Sequence, residues 1–264
     1  MGLDMLRIQS LGIKCPICNK PDWCMVTDDG TAAICSRKSK GSVKKVDKVG
    51  WLHILGNFKP QKYEVPEKPF VDWNKWAVKF AKQLIENREA FGKLCRTINI
   101  NPISALRFYI GWHKNWLTIP IYSLSRTVSG IQRRQGNTKR YMKHSGMGVF
   151  VPSAFFQDPS DTLAVCEGWT DTVTALEYGY NAIGKVNAYV GNEEVIMFAK
   201  THPSVKRVII FADNNQDGVG LAGAEETAKL LLEAEFETKI VLTPHKDLRA
   251  CKQKGMTLNE IIGD

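Results

Sequence analysis

The chain has 264 residues, 44% of them hydrophobic and 24% charged, enough apolar material for at least one sizeable core and more than a disordered polymer carries. No apolar run approaches the roughly 18 residues of a membrane span, and the opening MGLDMLRIQS lacks the basic-then-apolar pattern of a signal peptide, so a cytoplasmic protein without membrane attachment is expected. The formal charge of +9 is unevenly spread: residues 1–70 hold 12 Lys/Arg against 7 Asp/Glu, residues 71–160 hold 14 against 4, and residues 161–264 hold 10 against 16. A cationic middle beside an acidic end suits a protein that handles a polyanion, since Lys and Arg neutralise phosphates while a metal ion offsets gathered carboxylates.

The seven cysteines fall into a cluster, Cys15, Cys18, Cys24 and Cys35, and three isolated residues, Cys95, Cys166 and Cys251. CPIC is a C-x2-C turn able to set two thiolates on one metal. WCMVTDDGTAAIC reads as a β-hairpin about the turn signal Asp28-Asp29-Gly30, with Cys24 and Cys35 symmetric about it. Paired in that register, the two stand opposite each other on one face, with Cβ atoms about 4.5 to 5.5 Å apart. Four cysteines fill a tetrahedral site completely, so the expected ion is a structural Zn²⁺ that folds a ribbon too small to fold on its own apolar core.

Residues 41–70 are rich in Lys, Gly and Pro and read as a basic linker or peripheral arm. Arg37, Lys38, Lys40, Lys44, Lys45 and Lys48 are candidate contacts to a phosphate backbone, with Trp51 and His53 as candidate stacking surfaces. From Asp72 to Leu94 apolar residues recur at helical spacing, among them Trp73, Trp76, Ala77, Phe80, Leu84 and Ile85, which predicts one amphipathic helix. Between Trp112 and Val151 the pattern changes to short strands, NWLTIPIYSL and TVSGIQRRQG forming a hairpin or meander. Arg133, Arg134, Lys139, Arg140, Lys143 and His144 crowd there around Tyr141, cations for phosphates around a ring on which a base can stack.

The last hundred residues alternate strand and helix. LAVCEG, NAIGK, RVIIFAD and TKIVLTP read as buried strands, and DTVTALEY (capped by Thr170, stopped at Gly179), EEVIMFAK and LAGAEETAKLLLEA as helices. This is the pattern of a doubly wound parallel sheet. Glu167, Asp213 and Asp247 each follow an apolar strand, so parallel strands bring them to one carboxyl edge, where open α/β sheets bind ligands and where oxygen donors suit Mg²⁺.

VCEGWTDTVTALEYG and VIIFADNNQDGVGLAGAEETAKLL resemble the two motifs of the topoisomerase-primase (TOPRIM) domain: a Glu at the end of the first strand, and an Asp-x-Asp followed by a glycine-rich helix start. With a four-cysteine ribbon in front, the chain is similar to the primase part of phage and mobile-element primases and, more distantly, to bacterial replicative primases. The resemblance implies an α/β fold in four parts: a zinc ribbon over 1–40, a basic linker over 41–70, a basic α+β primase-type subdomain over 71–160 and a TOPRIM domain over 161–264. It also implies Glu167 as a general acid/base or metal-proximal residue and Asp213 as the first Asp of the metal-binding pair. HKDLR supplies a supporting Asp247, and RYMKHSGMGVF is similar to a segment that contacts nucleotide or template. Lys185, closing NAIGK, joins the nucleotide-binding set. The second Asp of the pair is Asn215 here, followed by Gln216 and Asp217. One metal oxygen is then a neutral amide unless Asp217 takes its place, and a site's affinity for a dication follows its charge.

The expected activity is DNA-directed nucleotidyl transfer: a primase making short RNA primers on single-stranded DNA from nucleoside triphosphates, with Mg²⁺ or Mn²⁺ at the carboxylates and structural Zn²⁺ in the ribbon. A TOPRIM nuclease would use the same metals with water or tyrosine as nucleophile. A DNA-binding module of a replication complex, its altered metal site inactive, is the non-enzymatic reading. No G-x4-G-K-[ST] loop occurs in these residues, so a replicative helicase would be a separate partner.

Overall fold

In the cysteine-bearing segment the hairpin turn decides the pairing. The computed structural model describes residues 4–46, 49–56, 69–136, 138–152 and 160–263, and the chain divides into two units, Met1–Phe70 and Val71–Asp264. In the first unit, β1 (Met5–Arg7), the single turn α1 (Ile8–Leu11), β2 (Met25–Thr27), β3 (Ala32–Cys35), β4 (Lys44–Val46) and β5 (Gly50–Ile54) follow in order. The strands form one antiparallel sheet ordered β1-β2-β3-β5-β4. Met25 pairs with Ile34 and Val26 with Ala33. Continued by one residue, this register sets Cys24 opposite Cys35, as the symmetry of the turn requires. Asp29 fixes the turn by accepting the Thr31 N–H and hydroxyl, and Gly30 takes the left-handed conformation at φ 72°. Around Ile8, Val26 and Ala33 the core of this unit is filled largely by cysteine, too little apolar surface to hold a domain without a cross-link.

The segment read as a connector therefore begins as sheet: Lys44–Val46 and Gly50–Ile54 add β4 and β5 beside β3. Its lysines pointed to solvent and hid the pairing. Lys44 and Lys45 are exposed, whereas His53 is buried and its Nε2 bonds the Lys38 carbonyl at 2.9 Å. His53 is thus a structural side chain and not a stacking surface. Lys48 lies outside the described residues.

The second unit opens with α2 (Trp73–Glu86), α3 (Arg88–Ile98) and α4 (Pro102–Arg107). The single helix expected over residues 72–94 is broken at Asn87, which leaves helical geometry at ψ 75° and turns its side-chain oxygen onto the Ala90 N–H, ending α2 and capping α3 with one residue. Trp73, Ala77, Phe80, Ala81 and Leu84 are buried as the periodicity requires, while Trp76 and Ile85 are exposed.

Then come β6 (Gly111–His113), β7 (Trp116–Tyr122), β8 (Val128–Gln135), β9 (Thr138–Tyr141), β10 (Val149–Phe150), β11 (Thr162–Glu167), α5 (Trp169–Glu177), β12 (Asn181–Lys185), α6 (Asn192–Lys200), β13 (Arg207–Ala212), α7 (Val219–Glu233), β14 (Glu237–Leu242), α8 (Leu248–Gln253) and α9 (Leu258–Ile262). The strands form a single nine-stranded sheet, β14-β13-β11-β12-β10-β7-β8-β9 with β6 beside β7. β14, β13, β11 and β12 run parallel, and the remaining pairings are antiparallel. The parallel part is wound on both faces. Leu163 and Val165 pack with Phe198 of α6 and Leu231 of α7, and the alternate residues Ala164 and Cys166 pack with Ala175 of α5 and Cys251 of α8. The two-residue β10 joins the basic antiparallel strands to the acid-bearing parallel ones, pairing with both β7 and β12.

Because Asn87 serves two helices, Asn87→Ala should lower stability by about 1 kcal/mol, and Asn87→Gly by only a few tenths. Urea-unfolding midpoints of the two variants check this; equal losses would mean that the side-chain cap carries nothing.

Candidate metal centres and nucleic-acid interface

The thiols of Cys15, Cys18, Cys24 and Cys35 converge, with all four sulfurs within 4.8 Å of one another. Cys18 and Cys24 are 3.8 Å apart and Cys24 and Cys35 are 4.0 Å apart. A tetrahedral ion with Zn–S bonds of about 2.3 Å requires sulfurs about 3.8 Å apart, so the set fits Zn²⁺ with shifts of no more than about 1 Å. None of the four is in a disulfide. The Arg37 and Lys38 N–H groups donate to Cys35 Sγ at 3.4 and 3.3 Å, and the Arg37 guanidinium lies 3.9 Å from both Cys18 and Cys24 Sγ. These donors favour thiolate over thiol. Cys15 lies beyond their reach, and burial, against the backbone N–H groups of Cys18 and Ile17, pushes its thiol up to about 12, so an ion binding there displaces a proton.

The second site is built at the carboxyl edge of the parallel strands. Glu167 ends β11, Asp213 directly follows β13, and Asp247 caps α8 by accepting the Ala250 N–H at 2.7 Å. Gly168, at φ 88°, turns the chain sharply from β11 into α5. That turn delivers a fourth carboxylate, Asp171, to the same edge. Asp171 is buried and accepts the Arg249 N–H at 3.0 Å and the Thr170 hydroxyl at 3.2 Å. The helix thus begins at Trp169, with Gly168 in the cap position expected of Thr170. On the other flank Gly220, in the first turn of α7, packs so tightly on Asp213 that a Cβ there would lie 2.5 Å from the Asp213 carbonyl oxygen.

Burial, and then the charges of Asp171, Glu167 and Asp247, push Asp213 up to about 8. Asp171 rises to about 7, from burial first and Asp247 second. Glu167 is also raised by burial, while Lys139 and Lys185 pull it back. Groups so placed are oxygen donors that resist ionising together, the condition a bound dication relieves, and in that sense they fit Mg²⁺. They stand less tightly gathered than the thiols: among the described residues the cysteines are the one set of Cys, His, Asp or Glu side chains arranged closely enough to hold an ion. In the β13–α7 loop, Asn214 is tied to Lys246 and Thr243 through their carbonyl oxygens. Asn215 is half-buried, and Asp217, exposed, turns one oxygen onto the Val219 N–H.

The basic cluster splits in two. Arg133 pairs with Arg140 and Arg134 with Lys139 across β8 and β9, and successive pairs face opposite sides of a sheet. Arg133 and Arg140 lie over the Trp116 ring, their guanidinium carbons 5.3 and 5.9 Å from its centroid. On the other side Arg134 senses Asp171 and Asp247, and Lys139 senses Glu167 and Asp213 while donating to the Val186 carbonyl at 3.1 Å. Lys143 is exposed. Tyr141 is half-buried against the core with its hydroxyl near Gln132, leaving less ring free for stacking than its neighbours suggested. Lys185 is buried, and its ammonium is taken up by the Ala188 carbonyl at 2.5 Å and the Thr227 hydroxyl at 2.7 Å. It stands beside Glu167 in register and acts on that carboxylate from inside the protein. Next to the acids opens a cleft of about 540 Å³, walled by Leu94, Trp112, Leu117 and Trp169 and edged by Arg134 and Arg249.

Asp171 and Arg249 were not singled out in the sequence. The available signal was position: Asp171 lies four residues after Glu167, in the first turn of a helix that leaves the acid-bearing edge, and Arg249 lies two residues after Asp247. Among the described residues no helix is long and apolar enough to cross a membrane.

No family model matches the sequence, and no curated protein matches it. Solved structures do match in fold. The zinc-binding and RNA polymerase domains of the Aquifex aeolicus primase align over 69% of this chain and 56% of theirs, with 18% identity and a TM-score of 0.54. The RNA polymerase domain of Mycobacterium tuberculosis primase DnaG aligns over 72% of this chain and 81% of its own, with 14% identity and a TM-score of 0.55. A DnaG primase catalytic domain bound to single-stranded DNA aligns over 69% and 73%, with 14% identity and a TM-score of 0.54. The chain therefore has a primase-type mixed α/β fold, and it spans little more than half of the Aquifex chain.

Cys24→Ser should lose bound zinc and unfold the first unit while leaving the second folded; elemental analysis with amide exchange on the two units reads both. Carboxyls of an unfolded chain ionise near pH 4, whereas Asp213 keeps its proton up to about 8. The folded state binds the extra proton in that window, so this group's contribution to stability is full below about pH 4 and is lost as pH rises toward about 8. In magnesium-free buffer the Tm of Asp213→Asn should therefore exceed that of wild type by a margin that grows with pH, and Mg²⁺ should close the gap. A margin independent of pH and Mg²⁺ would remove Asp213 from the ion site.

Proposed function

We propose that this chain is a DNA primase of the phage or mobile-element type, joining ribonucleotides on a single-stranded DNA template. The observation that carries the reading is the meeting, at one edge of the parallel strands, of Glu167, Asp171, Asp213 and Asp247 with Arg134 and Lys139 from the antiparallel strands. Carboxylates hold metal and cations hold phosphate, and nucleotidyl transfer needs both within reach of one phosphorus. In the reaction the 3′-oxygen of one nucleotide bonds to the α-phosphorus of the next, the bond to the bridging oxygen breaks, diphosphate leaves and the hydroxyl proton passes to a base. Mg²⁺ held by Asp213, Asp171 and Asp247, with Asp217 or Asn215 completing the oxygen set, would supply positive charge to the attacking and departing oxygens. Glu167, its affinity for protons raised by burial, would accept the hydroxyl proton or seat a second ion.

Arg134 and Lys139 would hold the triphosphate, the cleft edged by Arg134 and Arg249 would take nucleotide or template, and Arg133, Arg140 and Lys143 would follow the strand. Zn²⁺ on the four cysteines would keep the first unit folded for its own contact with template. A replicative helicase would act as a separate partner.

A second reading rests on Asn215. A neutral side chain where the resembling family has a carboxylate weakens the ion site and favours a module that binds DNA without catalysis.

Incubation with single-stranded DNA, labelled ribonucleotides and Mg²⁺ or Mn²⁺ tests both. Wild type should yield short RNA products. Glu167→Gln, Asp171→Asn and Asp213→Asn should each reduce them by more than about 100-fold, the scale of losing a group that stabilises transition-state charge, with DNA affinity kept. Asp217→Ala should lose more activity than Asn215→Ala if the carboxylate is the ligand. No product from wild type with either metal, together with intact DNA binding, leaves the binding module.

A further inference from the structure

The turn between Cys18 and Cys24 carries an arrangement that the ribbon itself does not need. Trp23 is 71% exposed, and its backbone lies in the left-handed region at φ 63°. That conformation is disfavoured for any residue with a Cβ and is an outlier for a bulky one. The turn uses it to set Cys24, which follows directly, among the other sulfurs. Gly or Asn meets that backbone demand at little cost; Asn19, in the same turn, does so at φ 57°. An indole there adds strain and also leaves a large apolar surface in water, and backbone outliers held against both penalties point to function. The surroundings are cationic. Lys20 and Lys38 are exposed, and the Arg37 guanidinium is anchored one residue away, on the Asp22 carbonyl at 2.8 Å and carboxylate at 2.6 Å.

We propose that Trp23 is a stacking platform for an unpaired base of a nucleic-acid strand, with Lys20, Arg37 and Lys38 receiving the adjoining phosphates. An exposed aromatic face beside lysine and arginine is the combination by which single strands are held with little regard to sequence. The cysteine cluster holds the backbone that carries the ring: Cys18 and Cys24 flank the turn, so less backbone freedom is left to lose when a base stacks. The inference rests on the nucleic-acid reading of the chain, and it is independent of catalysis.

The test uses the full-length, zinc-loaded chain and a fluorescently labelled oligodeoxynucleotide, read by anisotropy. Trp23→Ala should weaken binding about five- to hundred-fold, the range for one stacked base, and Trp23→Phe should recover most of it. Trp23→Gly relieves the backbone, so its Tm should equal or exceed that of wild type while its affinity falls as far as that of Trp23→Ala. An oligonucleotide with abasic sites should bind wild type and Trp23→Ala alike. Unchanged affinity in Trp23→Ala overturns the proposal, as does an equal loss on the abasic strand, which would assign the residue to phosphate. A fall in zinc content and Tm in Trp23→Gly would make the ring structural and overturns it too. Lost primer synthesis at unchanged strand affinity would give Trp23 to a protein contact. A wild type that makes no primers yet binds DNA through Trp23 refutes the primase reading and leaves this inference standing.

Discussion

Like charge at the edge of a parallel sheet is the constraint on which the second unit is built. Every strand of the parallel half ends on the same side, and Glu167, Asp171, Asp213 and Asp247 are delivered there by two strand ends and two helix starts. Two unit charges about 4 Å apart repel by about 1 kcal/mol in water and several times more where water is excluded. The fold answers with donors from three directions. The first turn of α8 gives N–H groups to Asp171 and Asp247, the meander brings Arg134 and Lys139, and Lys185 stands behind Glu167. The compensation is partial, since Asp213 still holds its proton up to about 8. A protein kept in that state has a standing affinity for cations, and the cations it meets in quantity are metal ions and its own basic strands.

This dependence explains why the sheet is continuous. β10 is only two residues long, yet Val149 pairs with Tyr122 on one side and Lys185 on the other, and Phe150 pairs with Gly184. A slip of one residue there would turn Arg134 and Lys139 to the face that now holds Arg133 and Arg140. Register is protected on both sides of the joint. Gly148 lies so close to Tyr122 that a Cβ would stand 2.0 Å from its carbonyl oxygen, and Phe150 is fully buried against Trp169 and Val173 of α5. The segment RYMKHSGMGVF thus does two things. Its glycine and phenylalanine fix where the meander meets the parallel strands, and the strand that leads into it carries the lysine that reaches the acids.

Much of this could be read from residue order. Runs such as LAVC and RVIIFA, apolar on both faces, announced buried parallel strands, and their terminal acids announced the edge. Cys24 and Cys35 announced their own pairing by their distance from the turn. What escaped depended on partners remote in sequence. Asp171 looks like an ordinary polar residue of a helix, and becomes a site residue because α8, nearly eighty positions on, covers it. The break at Asn87 hinged on a side chain choosing a backbone N–H over solvent, which apolar spacing does not record. Residues 44–54 were masked by composition, because Lys44 and Lys45 occupy an edge strand, where lysine guards an open row of hydrogen-bonding groups.

The β13–α7 loop brings these constraints to the one irregular position. Asn214 is fixed to Lys246 and Thr243, and Asp217 is engaged with Val219, so the loop is pinned at both ends around Asn215. Asp217 can still serve as an ion ligand, because its second oxygen and the free lone pair of the bonded one remain open. Asn215 brings no further negative charge to an edge where Asp213 already resists ionisation. An amide there weakens the grip on the ion, but it also lowers the repulsion that the ion must offset and eases the loss of the Asp213 proton. The two effects oppose each other at the same carboxyl. A neutral residue at this position therefore moves the proposed site toward weaker, more readily exchanged metal without removing the charge that draws metal in.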